Sequence, residues 1–263
     1  MVSIRLSLFL LMILVWLNGT VQAARFTEGG KVIPLQEADR FMIEKYLGKG
    51  VVGRAIPAPE FIDAARYLAP DTGTWNYRHV SGPETGKIER HQSILLEQEP
   101  GKAIWRYDMG ERFIHFVTAQ PDGDYVLTAV TDTEEGVINQ YSPAEPFMLQ
   151  GISPGEEHSM TLNVKVFDLN NPGKQMYTGS MDINYHYIGA YKVKVPAGSF
   201  DAVLVKWTSQ GKIGPASIDN TRYRFFVPDV GMVAAVERLN VSALLIYNHQ
   251  RKIGRVLVTK PES

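Results

Sequence analysis

From about residue 72 onward the apolar residues recur every second position, and this alternation limits the chain to sheets with one buried and one wetter face. In 181–187, Met181, Ile183, Tyr185 and Tyr187 take one side, and Asp182, Asn184 and His186 take the other. The stretches 161–166 and 192–195 alternate in the same way. The pattern predicts strands over 73–81, 87–98, 102–109, 111–119, 123–132, 136–141, 160–168, 176–188, 190–196, 200–210, 221–227, 231–239, 241–248 and 253–259. Between them lie turn residues: Pro121, Asp122 and Gly123; Glu134, Glu135 and Gly136; Asn170, Asn171, Pro172 and Gly173; Pro196, Ala197 and Gly198. Connections this short force antiparallel neighbours, because a parallel crossover needs a dozen residues or more. The expected fold class is therefore mainly β. Its core is a large twisted antiparallel sheet, curled into a half-open barrel or packed as a sandwich, over 71–263.

The segment before this sheet reads differently. Residues 36–47 place Ala38, Phe41, Met42 and Tyr46 at helical spacing, and Gly48 follows as a stop. A second short helix is expected to start at Pro59, with Phe61, Ile62, Ala65 and Leu68 on one face. Gly48, Gly50 and Gly53 lie between the two and read as a linker. The expectation is a helical segment over 24–70 that packs on the β domain through Phe41, Met42, Phe61 and Ile62.

The N-terminus carries a targeting layout. Arg5 precedes an unbroken apolar run over 8–17, and Val21, Gln22 and Ala23 form a small-x-small cleavage pattern. The run is half the roughly 20 residues a membrane span needs, so 1–23 reads as a secretory signal peptide. The expected location is the periplasm. The sequence contains no cysteine, which excludes a lipobox, a disulfide framework and a thiolate metal site. With 27 basic and 28 acidic residues it has none of the basic excess of a nucleic-acid binder. No later apolar stretch suits a transmembrane span.

One part of the sheet region resembles a known group. Pro196, Ala197, Gly198, Phe200, Asp201, Ala202 and Val203 match a V-P-A-G-x-F-D-A pattern. Within 223–233, Pro228, Val230, Gly231 and Val233 match a later W-Y-x-P-x-V-G-x-V pattern, and Pro146, Leu149 and Gly151 match its lead-in. Over 141–239 the chain thus resembles an uncharacterised family of exported bacterial β proteins that includes TapB-like proteins and related domains of unknown function. It departs from that pattern at Phe225 and Phe226, where the family has Trp-Tyr, and after Gly155, where no Trp follows. The resemblance implies a curled antiparallel sheet and no reaction.

Several motifs look like chemistry and lack its context. Gly151, Ser153 and Gly155 match a nucleophile elbow, but Pro154 follows the serine and has no N–H for an oxyanion. Gly48, Gly50 and Gly53 match a dinucleotide fingerprint, but they follow a helix rather than a strand. The six histidines, His79, His91, His115, His158, His186 and His249, show no ligand spacing, although distant strands can bring them together. Asp122, Asp124, Asp132, Glu134 and Glu135 cluster at two turns without a calcium loop and read as solvated turn charge. No catalytic residue, metal ligand or cofactor is assigned, and the ligand-binding residues are unknown. The aromatics remain: Trp75 and Tyr77, Trp105 and Tyr107, Tyr185 and Tyr187, then Trp207, Tyr223 and Phe225. Converging on one concave face they would line a trough for an acyl chain or a sugar; otherwise they are core. The expected function is a non-enzymatic binding or assembly protein holding a lipid, a glycan or an envelope protein. The alternative is a hydrolase of envelope polymers.

Overall fold

A computed structural model describes residues 30–60, 64–68, 72–99, 102–243 and 247–259. The signal-like region 1–23 lies outside the described residues, as do Phe61 and Ile62. The chain runs through β1 (Lys31–Val32), α1 (Glu37–Leu47), β2 (Val52–Ala58) and a 3-10 turn at Ala64–Tyr67. The long β region follows: β3 (Gly73–Ser81), β4 (Ile88–Glu99), β5 (Lys102–Met109), β6 (Phe113–Ala119), β7 (Tyr125–Asp132) and β8 (Val137–Met148). It continues with β9 (Glu157–Asp168), β10 (Asn171–Val195), β11 (Gly198–Ile213), β12 (Ala216–Val227), β13 (Gly231–Ala243) and β14 (Tyr247–Thr259).

Each strand from β3 to β14 pairs antiparallel with its sequence neighbour. β14 then pairs with β3, so the twelve strands close into a barrel. The sheet is mainly β and antiparallel as the alternation predicts, and it curls to full closure. Closure matters physically because it leaves no strand of the ring with unpaired backbone groups along a whole edge.

β10 is 25 residues long and does two jobs. Its first half pairs with β9 inside the ring, and its last residues pair with β2, which carries β1 on its other side. A register shift between Tyr187 and Gly189 marks the change. Gly189 sits there at φ 152°, and a side chain on it would crowd Ile33. The single strand therefore covers both 176–188 and 190–196, which the sequence reading separates. Val52 and Gly53, read as the end of a linker, instead begin the strand 52–58, because β10 offers it an edge. The expected helix from Pro59 is the short 3-10 turn at Ala64–Tyr67.

α1 packs on the outer wall against β13, β14 and β3. Its buried face is Asp39, Ile43, Tyr46 and Leu47, the i, i+4, i+7, i+8 stripe of a surface helix. Phe41, expected to pack, is 65% exposed; Met42 does touch the core. Asp39 displaces the expected face because its carboxylate is satisfied: Lys206 Nζ and the Tyr223 hydroxyl each lie 2.7 Å from Oδ1. Gly254 on β14 lets the helix approach, since a Cβ there would stand 2.2 Å from the Tyr46 carbonyl oxygen.

The barrel interior is layered. One end is filled by Trp75, Tyr77, Tyr107, Phe147, Tyr185 and Trp207, all buried. Each such side chain contributes about 1.5–3 kcal/mol or more by leaving water. Three of the polar tips donate to backbone carbonyls: Trp207 Nε1 to that of Pro146 at 2.9 Å, Trp75 Nε1 to that of Val230 at 2.9 Å, and Tyr77 to that of Met232 at 2.6 Å; the Tyr107 hydroxyl is buried with no hydrogen-bond partner. The 3-10 turn closes this end. Tyr67 and Leu68 are buried beside the aromatics. Arg66 pairs with Asp229, and the Ala64 N–H donates 2.8 Å to Gln150. The motif residues of the resemblance are turns and core: Gly198 takes φ 138° in the β10–β11 hairpin, Phe200 and Val203 are buried, and Gly231 takes φ 86° after the Pro228 turn.

Candidate functional site in the barrel lumen

Side chains on β12 alternate across the wall. Tyr223 points outward to Asp39, whereas Ile218, Asn220, Arg222, Arg224 and Phe226 point into the barrel. Each inward step advances roughly 6–7 Å along the strand. The interior therefore passes from apolar at the mouth, through charge, to the aromatic floor. Above the floor remains a cavity of about 200 Å³. Its upper wall holds Phe113, Ile213, Ile218, Leu239 and Val241, all only partly buried, so the cavity opens at this end. Its lower wall holds His115, Glu145, Arg222, Arg224, Glu237 and Arg255.

The charged layer is built from facing strands. Arg222 pairs with Glu145 of β8, and Arg255 Nη1 lies 2.8 Å from Glu89 of β4. Glu237 lies 3.6 Å from Arg255 Nη2. Glu89 also meets His79 Nε2 at 3.2 Å and His91 Nε2 at 3.1 Å. Burial would raise the Glu89 carboxyl, but the two imidazoles and Arg255 hold it far below the carboxylate range. Burial pushes His91 down to about 4, with Arg255 adding to the effect and Glu89 opposing it. His115 is also lowered by burial and by the nearby Arg224 and Arg222.

Arg224 differs from Arg222 and Arg255. It is 8% exposed, and among the described residues no carboxylate reaches ion-pair distance of it. Its guanidinium lies 5.3 Å from the ring centres of both Phe147 and Trp207. Burial, with Arg222 and Arg255 nearby, lowers its pKa to about 9, which still leaves a cation at neutral pH. Ala235 is its cross-strand neighbour on β13 and that of Arg255 on the other side. A methyl group thus separates two long cations and leaves room between them.

The aromatics do not form one trough. Trp75, Tyr77, Tyr107, Tyr185 and Trp207 fill the closed end, and Tyr223 faces outward under α1. Trp105 is only partly buried and packs against Tyr125. His79 and His91 do come together on β3 and β4, but the cation that joins them at Glu89 is the Arg255 guanidinium. Among the described residues no group of three acidic or histidine side chains has the geometry to hold a metal ion. Ser153 lies in a loop, where its N–H donates to Glu156, and no helix follows it. Asp132, read as solvated, is buried: Arg112 donates to it, as do the N–H groups of Glu134 and Glu135. The lumen arginines were missed because attention fell on Tyr223 and Phe225. The signal was present in Asn220, Arg222 and Arg224 sharing a strand face with Phe226.

Outside the ring, the wall formed by β9 and β10 is polar, with Thr161, Asn163, Lys165 and Asp182 exposed. Among the described residues no helix is long and apolar enough to cross a membrane.

No protein-family model matches the chain, and neither does any curated protein. The resemblance over 141–239 therefore rests on its motif residues alone. Among solved structures, an exported protein with YmcC-like fold from Bacteroides fragilis aligns at TM-score 0.44 and 12% identity, covering 78% of this chain and 100% of the other. A lipoprotein from Parabacteroides distasonis aligns at TM-score 0.34 and 14% identity, covering 76% and 98%. The lipoprotein YmcC of Escherichia coli K12 aligns at TM-score 0.35 and 11% identity, covering 86% and 96%.

Proposed function

We propose that this is an exported, non-enzymatic binding protein of the bacterial envelope that holds a small ligand inside its barrel. The signal-like N-terminus supports the location. The observation that carries the binding reading is the cavity of about 200 Å³, open at the mouth and floored by aromatics. Drug-sized ligands occupy pockets of roughly 300–1,000 Å³, so the lumen suits something smaller than a membrane lipid or an oligosaccharide. The wall supports binding over turnover. Its carboxylates are engaged by arginines, and His91 is held neutral, so neither is poised as an acid–base pair near neutral pH.

The test is native mass spectrometry of the protein from a periplasmic extract, followed by denaturing extraction. The expected result is one small molecule released per chain. An empty barrel counts against the reading. Hydrolysis of envelope polymers that is lost in Glu89→Gln would favour the hydrolase instead.

A further inference from the structure

We propose that Arg224 anchors the carboxylate of a small organic monoanion, whose apolar remainder lies toward the mouth of the barrel. This rests on the lumen-binding reading and gives the ligand its chemical class. The cavity wall carries three guanidiniums, of Arg222, Arg224 and Arg255, and three carboxylates, of Asp132, Glu145 and Glu237, and Asp132 is taken up by Arg112. Arg222 and Arg255 have carboxylate partners, and Arg251 lies over the Phe113 ring where its field acts on Glu237. Arg224 has no carboxylate at ion-pair distance among the described residues: Glu237 acts on it through its field alone, and its contacts are the faces of Phe147 and Trp207. Stacking on aromatic faces leaves the guanidinium's in-plane N–H fork unused, and that fork fits a carboxylate bidentately.

A buried charge without a partner costs several kcal/mol, which a bound anion would offset. Three further polar atoms of the same wall, His115 Nδ1, Arg222 Nε and Asn220 Oδ1, are buried with no hydrogen-bond partner; the two nitrogens can donate to an anion, and the amide oxygen can accept from a ligand hydroxyl or water. One guanidinium without a carboxylate at contact distance suits a monoanion rather than a phosphate dianion. The cavity holds roughly seven water volumes at ~30 Å³ each, which sets a ligand of about that many non-hydrogen atoms. Phe113, Val130, Ile218 and Leu239 line its upper part and supply the apolar contact.

The experiment is titration calorimetry of the purified protein with hexanoate and with 1-hexanol, repeated on Arg224→Met. The proposal expects hexanoate to bind, Arg224→Met to weaken it about tenfold to a hundredfold, and hexanol binding to stay unchanged. Should Arg224→Met fail to fold, the carboxyl pKa of carbon-13-labelled hexanoate bound to the unaltered protein decides. A value depressed below that of free hexanoate supports the anchor, and an unchanged value overturns it. Hexanol binding as well as hexanoate, with no effect of Arg224→Met, removes the anchor and leaves lumen binding standing. If neither binds while mass spectrometry finds another molecule, the carboxylate class alone is wrong. If neither binds and the barrel is empty, both readings fall.

Discussion

Asp39 on α1 and Tyr223 on β12 share a hydrogen bond of 2.7 Å, donated by the tyrosine hydroxyl to Oδ1 on the outer wall of the barrel. Lys206 Nζ reaches the same oxygen at 2.7 Å. Hydrogen bonds to charged groups contribute about 1.5–3 kcal/mol, and here two depend on one carboxylate. Asp39→Ala is expected to cost about 2–3 kcal/mol and to lower the Tm by roughly 5–10 °C. Asp39→Asn keeps an acceptor for Tyr223 and should cost less. Urea unfolding of the two variants checks the order.

A related prediction concerns Gly254. A Cβ there would meet the backbone oxygen of Tyr46 at 2.2 Å, and a backbone atom cannot swing aside. Gly254→Ala should push α1 off the wall at a cost of about 1–3 kcal/mol. Limited proteolysis should then cut faster within 37–47, while near-ultraviolet circular dichroism of the aromatic floor is kept. Unchanged cleavage would contradict the close approach.

How much of this was legible follows from where each signal resides. The strands 73–81 and 102–109 carry clean alternation, and their observed ends are those read, whereas the strand read as 253–259 begins already at Tyr247. β2 was hidden because Gly50 shortly precedes it and Gly53 and Pro57 lie within it; only the edge offered by β10 makes it a strand. Helix α1 was placed, but its buried face was misread because that face begins with a polar residue, Asp39. Closure was invisible because it depends on β14 meeting β3, a pairing that spans the whole ring. The lumen charges were written in the chain as Arg222, Arg224 and Arg255. Recognising them as a site requires knowing that their strands face each other.

Stability should fall in mild acid. His91 is held at about 4, below its ordinary 6.5, so the unfolded chain takes up a proton more readily across that interval. Stability is therefore lost as pH falls from about 6.5 to 4, and His115, lowered by the same burial, acts in the same direction. Glu89, held low, contributes stability above about 4.5 that is lost as pH falls further. Urea midpoints measured from pH 7.5 down to pH 4.5 should decline from near 6.5, and His91→Gln should make the decline shallower. A flat profile would contradict the buried neutral imidazole.

Trp207 ties the floor to the opposite wall. Its Nε1 donates to the Pro146 carbonyl at 2.9 Å, and its ring meets Tyr185 edge-on at 5.3 Å. Trp207→Phe leaves that carbonyl buried without a donor and should cost about 1–3 kcal/mol. Loss of the Trp207 fluorescence contribution together with a lower urea midpoint is the expected outcome; an unchanged midpoint would show that water replaces the indole.

The shared strand β10 also sets how the molecule comes apart. Removing any one strand from the closed ring breaks two seams, so ring strands should open together or not at all. The β1–β2 pair hangs on β10 through one seam only. Amide hydrogens of 52–58 should thus exchange through a small, separate opening, while those around the ring exchange only with global unfolding.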